Sequence, residues 1–252
     1  MFKIAVNNLV QSIGGDVYLP SPSTAASKNL APLSLVERKN SVLPLKQSHY
    51  YTTDFILQDI VTGKHVEVEA QKAEKFCTFN RESRVKVEGM LQGHIKGIFD
   101  AGVRLVDSVA IKTELGELII EEVDIQSLLN DLNDRELKMC HELVREISAG
   151  KRKALCVVTG VVKTTSSASI SAKLGTEAAG HLEISQTSSF LSKGRIVSGR
   201  LKGSHETDST RELNLPAGTV LAYQLSELAV NKQGKVQIMV AHGSKGGFHL
   251  AF

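Results

Sequence analysis

The feature that most constrains the fold is a long alternation of apolar and polar residues that begins at Arg84 and fades near Ile125. Every second residue from 85 to 105 is uncharged, and charged side chains occupy many of the positions between them. Side chains of a β-strand point alternately to its two faces, whereas a helix would spread both sets around its circumference. The pattern therefore predicts a long amphipathic β-hairpin over about 83–125 that turns near residues 105–109.

A second alternation runs from Ala154 to Ile184, where every second residue is again uncharged. It predicts a second amphipathic hairpin over about 154–203. Such a pattern suits a soluble sheet with one buried face, and it also suits a transmembrane β-barrel with one face toward lipid and the other toward a water-filled lumen. The residues alone leave both structures open.

The composition is that of an ordinary globular protein, with 42% hydrophobic residues, 23% charged residues and a net charge of +3. This charge is nearly balanced, and aromatic residues make up only 5%, so no nucleic-acid partner is expected. The sequence shows no transmembrane helix and no signal peptide. The three cysteines lack the spacing of a zinc site or a disulfide framework, which favours residence in the cytosol.

Shorter patterns place helices beside the strands. Apolar residues at helical spacing predict a helix over Met1–Ile13 that ends at Gly14-Gly15, and helical structure over Asp124–Ser148. Other segments are predicted as strands or connectors: strands at Leu33–Val36, Asp54–Glu69 and Lys235–Ala241, a strand or mixed segment at Thr219–Val230, and a polar connector at Ala70–Arg81. The predicted fold class is α+β, a twisted, mainly antiparallel sheet with flanking helices and two long amphipathic hairpins.

Two short basic segments are suited to an anionic surface. In Arg38–Lys46, basic residues flank an apolar tip at Val42 and Leu43, and Lys151–Lys153 follows the predicted second helical segment. Each cation near an anionic lipid surface contributes about 1 kcal/mol to binding. The alternatives are a solvated hairpin whose tip folds back, and cations that serve only to stabilise the end of the helix through its dipole.

Catalytic motifs are absent from the sequence. It contains no glycine-rich phosphate loop, no HExxH motif and no nucleophile elbow. Cys140 and His141 are adjacent, and on a helix they would point to different faces. We therefore expect a protein that is not an enzyme and that uses no cofactor or metal.

Several motifs, in this order and at this spacing, resemble the gasdermin pore-forming domain. The most specific is Leu215–Tyr223, which is followed by Glu227-Leu228 and Lys245–Phe248. Glu122–Leu129 and Ala154–Thr159 resemble two further family motifs. The opening helix and the first short strand also fit, so the resemblance covers nearly the whole chain.

The resemblance implies a pore-forming effector of programmed cell death and innate immunity. Gasdermin pore-forming domains bind acidic lipids, oligomerise and refold two long hairpins into a large transmembrane β-barrel, which causes pyroptosis-like lysis. The implied partners are acidic phospholipids and further copies of the chain, with a related chain or a separate inhibitor as another candidate. The active form would lie at the plasma membrane or another cellular membrane. The alternative is a soluble, sheet-based module that binds a membrane or partner without perforating it.

The resemblance also assigns roles to individual residues. The implied lipid-binding residues are Lys3, Arg38, Lys39, Lys46, Lys151, Arg152 and Lys153. The implied membrane-inserting residues are Val42, Leu43, Val85, Val87, Leu91, Ile95, Phe99, Val103, Ile170, Leu174, Leu182 and Ile184. At Val42 and Leu43 the family has a more aromatic tip, so this loop departs from the family pattern.

Family members typically carry a second, inhibitory domain after a protease-sensitive linker. No such domain follows Phe248 here, so we expect a single pore-forming domain over 1–252 and no C-terminal inhibitory domain. The chain is then either a trimmed domain or a short, single-domain gasdermin.

A lone pore-forming domain needs a restraint that keeps its apolar hairpin faces from water. Cys140 and Cys156 are predicted as core thiols, whereas Cys77 lies among polar residues and is predicted to be the most exposed. A disulfide between Cys77 of two copies would make a symmetric dimer that cytosolic reductants open. The alternative is that Cys77 has no such role.

Overall fold

The structure, a computed structural model, describes residues 1–15, 17–39, 48–68, 70–86, 108–149, 153–175, 210–230, 235–242 and 247–250. Its strands are β1 (Leu19–Pro20), β2 (Ser34–Lys39), β3 (His49–Ile56), β4 (Ala70–Lys86), β5 (Ser108–Val123), β6 (Lys153–Thr164), β7 (Ala168–Gly175), β8 (Thr210–Leu215), β9 (Val220–Val230), β10 (Val236–His242) and β11 (Gly247–Leu250). Its α-helices are α1 (Phe2–Ile13), α2 (Leu57–Ile60), α3 (Ile125–Leu132) and α4 (Glu142–Ala149), with a 3₁₀ turn at Ala26–Asn29. The predicted α+β class with a mainly antiparallel sheet is confirmed.

Strand β6 is the centre of the sheet. One of its sides pairs with β9, while on the other side its first half pairs with β2 and its second half with β5. The strand order is β11–β10–β9–β6–β5–β7–β8, and β3 pairs with β2. Leu155 and Val157 of β6 enter one core, whereas Cys156 and Val158 enter another on the opposite face. Because both faces are covered, β6 is apolar on both sides.

Helices α3 and α4 cover the face of the sheet that carries Leu155 and Val157. Their buried contributions to that core are Leu128, Leu132, Leu143 and Val144. Asp124 caps the start of helix α3, and its carboxylate accepts hydrogen bonds from the Gln126 N–H at 3.0 Å and from the Ser127 hydroxyl at 2.8 Å. These bonds, with the one from Ser127 contributing most, lower the pKa of Asp124.

The predicted helix at the start of the chain is confirmed. Helix α1 buries one side, formed by Phe2, Ala5, Val6, Leu9 and Val10. It ends at Gly14, which has φ of +117°, a conformation that glycine adopts without the steric cost of a Cβ atom. In the part of the chain that the structure describes, no helix is both long and apolar enough to cross a membrane.

The first hairpin is formed by β4 and β5, which pair in the sheet. Strand β4 already begins at Ala70, so the predicted polar connector over 70–81 is wrong. Strand β5 begins at Ser108, so residues 108 and 109 belong to a strand, and the rest of the turn predicted near 105–109 lies outside the described residues. The alternation within β5 is confirmed, with buried Val109, Ile111, Thr113 and Leu115 and exposed Lys112 and Glu114. Residues 87–107 lie outside the described residues.

The second hairpin differs from the predicted span of 154–203. Strand β6 ends at Thr164, and three exposed residues separate it from β7. Strands β7 and β8 are neighbours in the sheet, so the two arms of this hairpin begin at Ala168 and end at Leu215. The sequence alternation hides the break because the exposed residues 165–167 are small, uncharged and polar. Within β7 the alternation is confirmed, since Ala168, Ile170 and Ala172 are buried.

Two of the other predicted elements are wrong in part. Helices α3 and α4 replace the single helical segment over Asp124–Ser148, because Leu137 forms a bridge with Val61 and Glu136 forms one with Lys235. Helix α2 likewise interrupts the strands predicted over 54–69. In both places contacts with distant parts of the chain override the local pattern.

The chain divides into two compact units. One comprises Met1–Arg81, Thr113–Ile170 and Leu213–Phe252, and the other comprises Glu82–Lys112 and Ser171–Glu212. Both cores that enclose β6 belong to the first unit.

The turn between β8 and β9 is tied to the end of β6 by Thr164, which is 1% exposed. Its hydroxyl donates to the Pro216 carbonyl at 3.1 Å and accepts from the Thr219 N–H at 3.2 Å. Thr164→Val keeps the shape of the side chain and removes both bonds. We expect it to lower the free energy of unfolding by roughly 1–3 kcal/mol in chemical denaturation. Thr78→Val, at an exposed position of β4, is the control, and an equal loss in both variants would contradict this role.

Candidate functional site

Basic residues from two strands meet at one end of the sheet. In the antiparallel pair of β2 and β6, Lys39 lies directly opposite Lys153, and Arg38 lies one residue further in. We call Arg38, Lys39 and Lys153 the basic end. Strand β2 leads into residues 40–47 and strand β6 follows residues 150–152, so two basic segments that are far apart in sequence connect to adjacent strand ends. Of the other predicted lipid-binding cations, Lys46, Lys151 and Arg152 lie outside the described residues.

Arg38 contributes to an ion pair inside the sheet. Its Nη2 lies 2.7 Å from Oε2 of Glu227 on β9, and the two side chains are 12% and 14% exposed. Burial raises the pKa of Glu227, and the Arg38 guanidinium opposes this shift. Burial also raises the pKa of Tyr50, which lies opposite Arg38 on β3. Arg38 thereby connects β2 to β9 across the central strand.

Lys39 and Lys153 share the carboxylate of Glu37. Its Oε1 lies 2.9 Å from Lys153 Nζ and its Oε2 lies 3.6 Å from Lys39 Nζ. Lys153 also pairs with Glu146 of α4, and Lys39 Nζ stands 4.6 Å from the centre of the Tyr51 ring. The bond between Lys153 and Glu146 raises the pKa of Lys153 and lowers that of Glu146. Every cation of the basic end therefore has a carboxylate partner.

None of these three carboxylates was among the site residues predicted from the sequence. Glu37 was detectable in part, since it follows Leu35-Val36 inside an apolar strand, where a charge needs a partner. Glu146 and Glu227 gave no comparable signal, because their partners are brought to them only by the fold.

The family model of the gasdermin pore forming domain matches residues 1–250. The chain belongs to the gasdermin family. It is 28% identical over 257 residues to pejvakin of Mus musculus, covering 98% of this chain and 66% of that protein. It is also 28% identical over 257 residues to gasdermin-E of Mus musculus, covering 98% of this chain and 48% of that protein. The chain thus spans between about half and two thirds of the length of these relatives.

A solved structure has the same fold. The cryo-EM structure of the gasdermin A3 membrane pore matches with a TM-score of 0.61 and 18% sequence identity, covering 96% of this chain and 98% of that one. The gasdermin family is not a family of enzymes. In the described residues, no group of histidine, cysteine and acidic side chains is arranged to hold a metal ion.

The remaining predicted site residues of this gasdermin-family chain lie on other elements. Lys3 is exposed on α1. Ile170, predicted to insert into the membrane, is fully buried in β7. Val85 lies in β4 and Leu174 in β7. The other predicted membrane-inserting residues lie outside the described residues: Val42, Leu43, Val87, Leu91, Ile95, Phe99, Val103, Leu182 and Ile184.

The cysteines are distributed differently from the prediction. Cys156 is a core thiol as predicted, and burial raises its pKa to about 12. Cys140 is exposed between α3 and α4, so its prediction as a core thiol is wrong. Cys77 is half-buried in β4, and burial raises its pKa as well. Cys140, and not Cys77, is therefore the most exposed of the three thiols, and the Cys77 latch stays a prediction.

We expect Cys140 to react with a water-soluble aromatic disulfide reagent before Cys77 does. Cys140 is accessible, whereas the raised pKa and partial burial of Cys77 reduce its reactive thiolate at neutral pH. In a time course of absorbance, Cys140→Ser should remove the fastest phase and Cys77→Ser should leave it. The opposite result would favour the Cys77 latch, which non-reducing electrophoresis would then display as a dimer band.

Proposed function

We propose that this gasdermin-family chain is a pore-forming effector of cell death, in which residues 1–252 act as one pore-forming domain. It binds acidic membrane lipids, assembles with further copies of itself and inserts its two hairpins as a β-barrel that releases cell contents. It would be cytoplasmic before activation and membrane-bound afterwards. The observation that carries the proposal is the alternation of buried and exposed side chains in β5 and β7, in a chain that belongs to this family.

The described hairpin arms already have the side-chain arrangement that a barrel needs. In β5, Ile111 is 1% exposed while its neighbour Lys112 is exposed, and in β7 Ile170 is 0% exposed beside half-buried Ser169. In a barrel the apolar set would face lipid and the polar set the lumen. On insertion each residue would stay on the same side of its strand. Only the environment of the apolar face would change, from the protein core to lipid.

The basic end and its two connecting segments are the proposed lipid-contacting surface. Lys39 and Lys153 lie side by side, and the chain carries Lys46 and Lys151-Arg152 within a few residues of them. Arg38 is less suited to direct lipid contact because its ion pair with Glu227 is largely buried. Lys3 on α1 is an additional exposed cation.

Removal of charge from the two connecting segments should weaken membrane binding. We expect the triple variant Lys46→Gln, Lys151→Gln, Arg152→Gln to bind vesicles containing phosphatidylserine roughly 100-fold more weakly, at about 1 kcal/mol per cation. High salt should weaken wild-type binding in the same direction. Cosedimentation at a series of lipid concentrations measures both effects.

The matched control is the triple variant Lys28→Gln, Lys64→Gln, Lys75→Gln. These three lysines are exposed, so the variant makes the same change in net charge at other positions. If it lost as much affinity, binding would depend on net charge and not on the proposed surface. Binding that is independent of salt and of anionic lipid would contradict the proposal directly.

A second candidate function is a soluble, sheet-based module that binds a membrane or partner without perforating it. The observation that favours it is the burial of the apolar side chains on one face of the described β5 and β7, such as Ile111 and Ile170. The pore and a membrane-binding module both predict binding to anionic vesicles. Only the pore predicts the release of vesicle contents, so the leakage measurement separates them.

A further inference from the structure

We propose that Glu37 and Glu146 are built-in counter-anions of the basic end that limit the affinity of the chain for membranes, and that the headgroup of an anionic phospholipid displaces Glu146 while Glu37 stays in place. This inference rests on the proposed lipid-binding function and concerns its regulation.

The position of Glu37 is unusual for a carboxylate. Glu37 is only 8% exposed, and in the sheet it lies between Tyr51 of β3 and Leu155 of β6. A buried charge is costly unless it is paired. Glu37 is paired twice, with Lys153 at 2.9 Å and Lys39 at 3.6 Å. It therefore holds the two ammonium groups around one anion.

Glu146 contacts the same cluster from another element. Its side chain on α4 is 57% exposed and pairs with Lys153, whose side chain is 21% exposed. The ammonium group of lysine has three donors, and two carboxylates already occupy Lys153. Because Glu146 is the exposed partner, it is the one that an approaching anion can replace while Glu37 keeps the lysines in position.

The charges in this cluster balance. Two lysines face two carboxylates, so an anionic membrane meets little net positive charge at the described strand ends. A phospholipid headgroup carries phosphate oxygens that make the same charge-assisted hydrogen bonds to an ammonium group. Exchange of Glu146 for a headgroup would preserve the pairing of Lys153 and add the membrane as a partner.

The decisive experiment compares wild type with Glu146→Gln in cosedimentation with phosphatidylserine–phosphatidylcholine vesicles at physiological salt. Loss of one negative charge at the surface should act like one added cation, so we expect about fivefold tighter binding. Glu37→Gln should also bind more tightly, and high salt should remove both gains. Circular dichroism shows whether Glu37→Gln is folded; if it is not, Glu146→Gln decides alone.

The matched control is Asp134→Asn, which removes the carboxylate 2.6 Å from Lys235 and leaves the basic end unchanged. An equal gain in this control, or no gain in Glu146→Gln, would overturn the inference. A titration with inorganic phosphate in place of vesicles tests the source of the anion: the same gain for free phosphate alone would also overturn it.

The outcomes separate this inference from the proposed function. Wild-type binding without a gain in Glu146→Gln overturns only the counter-anion role. Absence of binding in wild type with binding in Glu146→Gln supports it strongly. Absence of binding in both, at low salt and with anionic lipid, overturns the proposed function as well.

Discussion

Leu91→Arg or Ile95→Arg should abolish the release of vesicle contents, whereas Gln92→Arg should leave it nearly unchanged. Leu91 and Ile95 belong to the apolar set of the first alternation, and Gln92 belongs to the polar set. An arginine on the lipid face near the middle of a bilayer costs roughly 2–4 kcal/mol, and every subunit of an oligomer would carry this cost. An arginine toward the lumen would stay in water.

These three positions lie outside the described residues, so the assignment of faces comes from the sequence and from the described part of β5. In β5 the odd-numbered Ile111 and Leu115 are buried and the even-numbered Glu114 is exposed, as the alternation predicts for Leu91, Ile95 and Gln92. Binding to vesicles and circular dichroism should be measured beside leakage, so that a loss of folding is not taken for a loss of insertion. If all three variants leak alike, the assignment of the hairpin faces is wrong.

Arg135→Ala should cause the largest loss of stability among the variants considered. Its guanidinium, 11% exposed, pairs with Asp131 at 2.8 Å and donates to the backbone carbonyls of Thr62, Lys64 and His65. It thereby fastens the loop after α2 to the end of α3. Removal of the side chain leaves these acceptors without a charged donor, and the expected loss is about 3 kcal/mol.

For a chain of this length such a loss corresponds to a fall in melting temperature of about 6–12 °C. Arg135→Lys should recover only part of it, because an ammonium group cannot reach several carbonyls with the planar geometry of a guanidinium. Arg145→Ala, at an exposed position of α4, is the control and should change the melting temperature little. A fall of similar size in Arg145→Ala would contradict the specific role of Arg135.

Elements with one covered face could be predicted from the sequence. Strand β5 alternates because only one side of it is buried, and α1 has a clear apolar side and a glycine at its end. Strand β6 does not alternate in this way, because Leu155 and Cys156 are adjacent in sequence and enter two different cores on opposite faces of the sheet. A strand covered on both sides has no polar set to mark its ends, so its boundary with β7 was not visible.

The cations of the basic end could be predicted from the sequence, but their carboxylate partners could not. Arg38, Lys39 and Lys153 were found because basic clusters are local in sequence. Their placement at adjacent strand ends, and the pairing of Arg38 with Glu227, depend on the order of strands β2, β6 and β9. Strand order is set by long-range packing, and no short motif encodes it.

The most direct measurement of the central claim is the release of a dye from vesicles. The purified chain is added to vesicles of phosphatidylcholine alone and to vesicles that also contain an anionic phospholipid, with binding measured on the same samples. The proposed function predicts release from the anionic vesicles, no release from the neutral ones, and loss of release in Leu91→Arg. Binding of the folded chain to anionic vesicles without any release would contradict the pore and favour the non-perforating module.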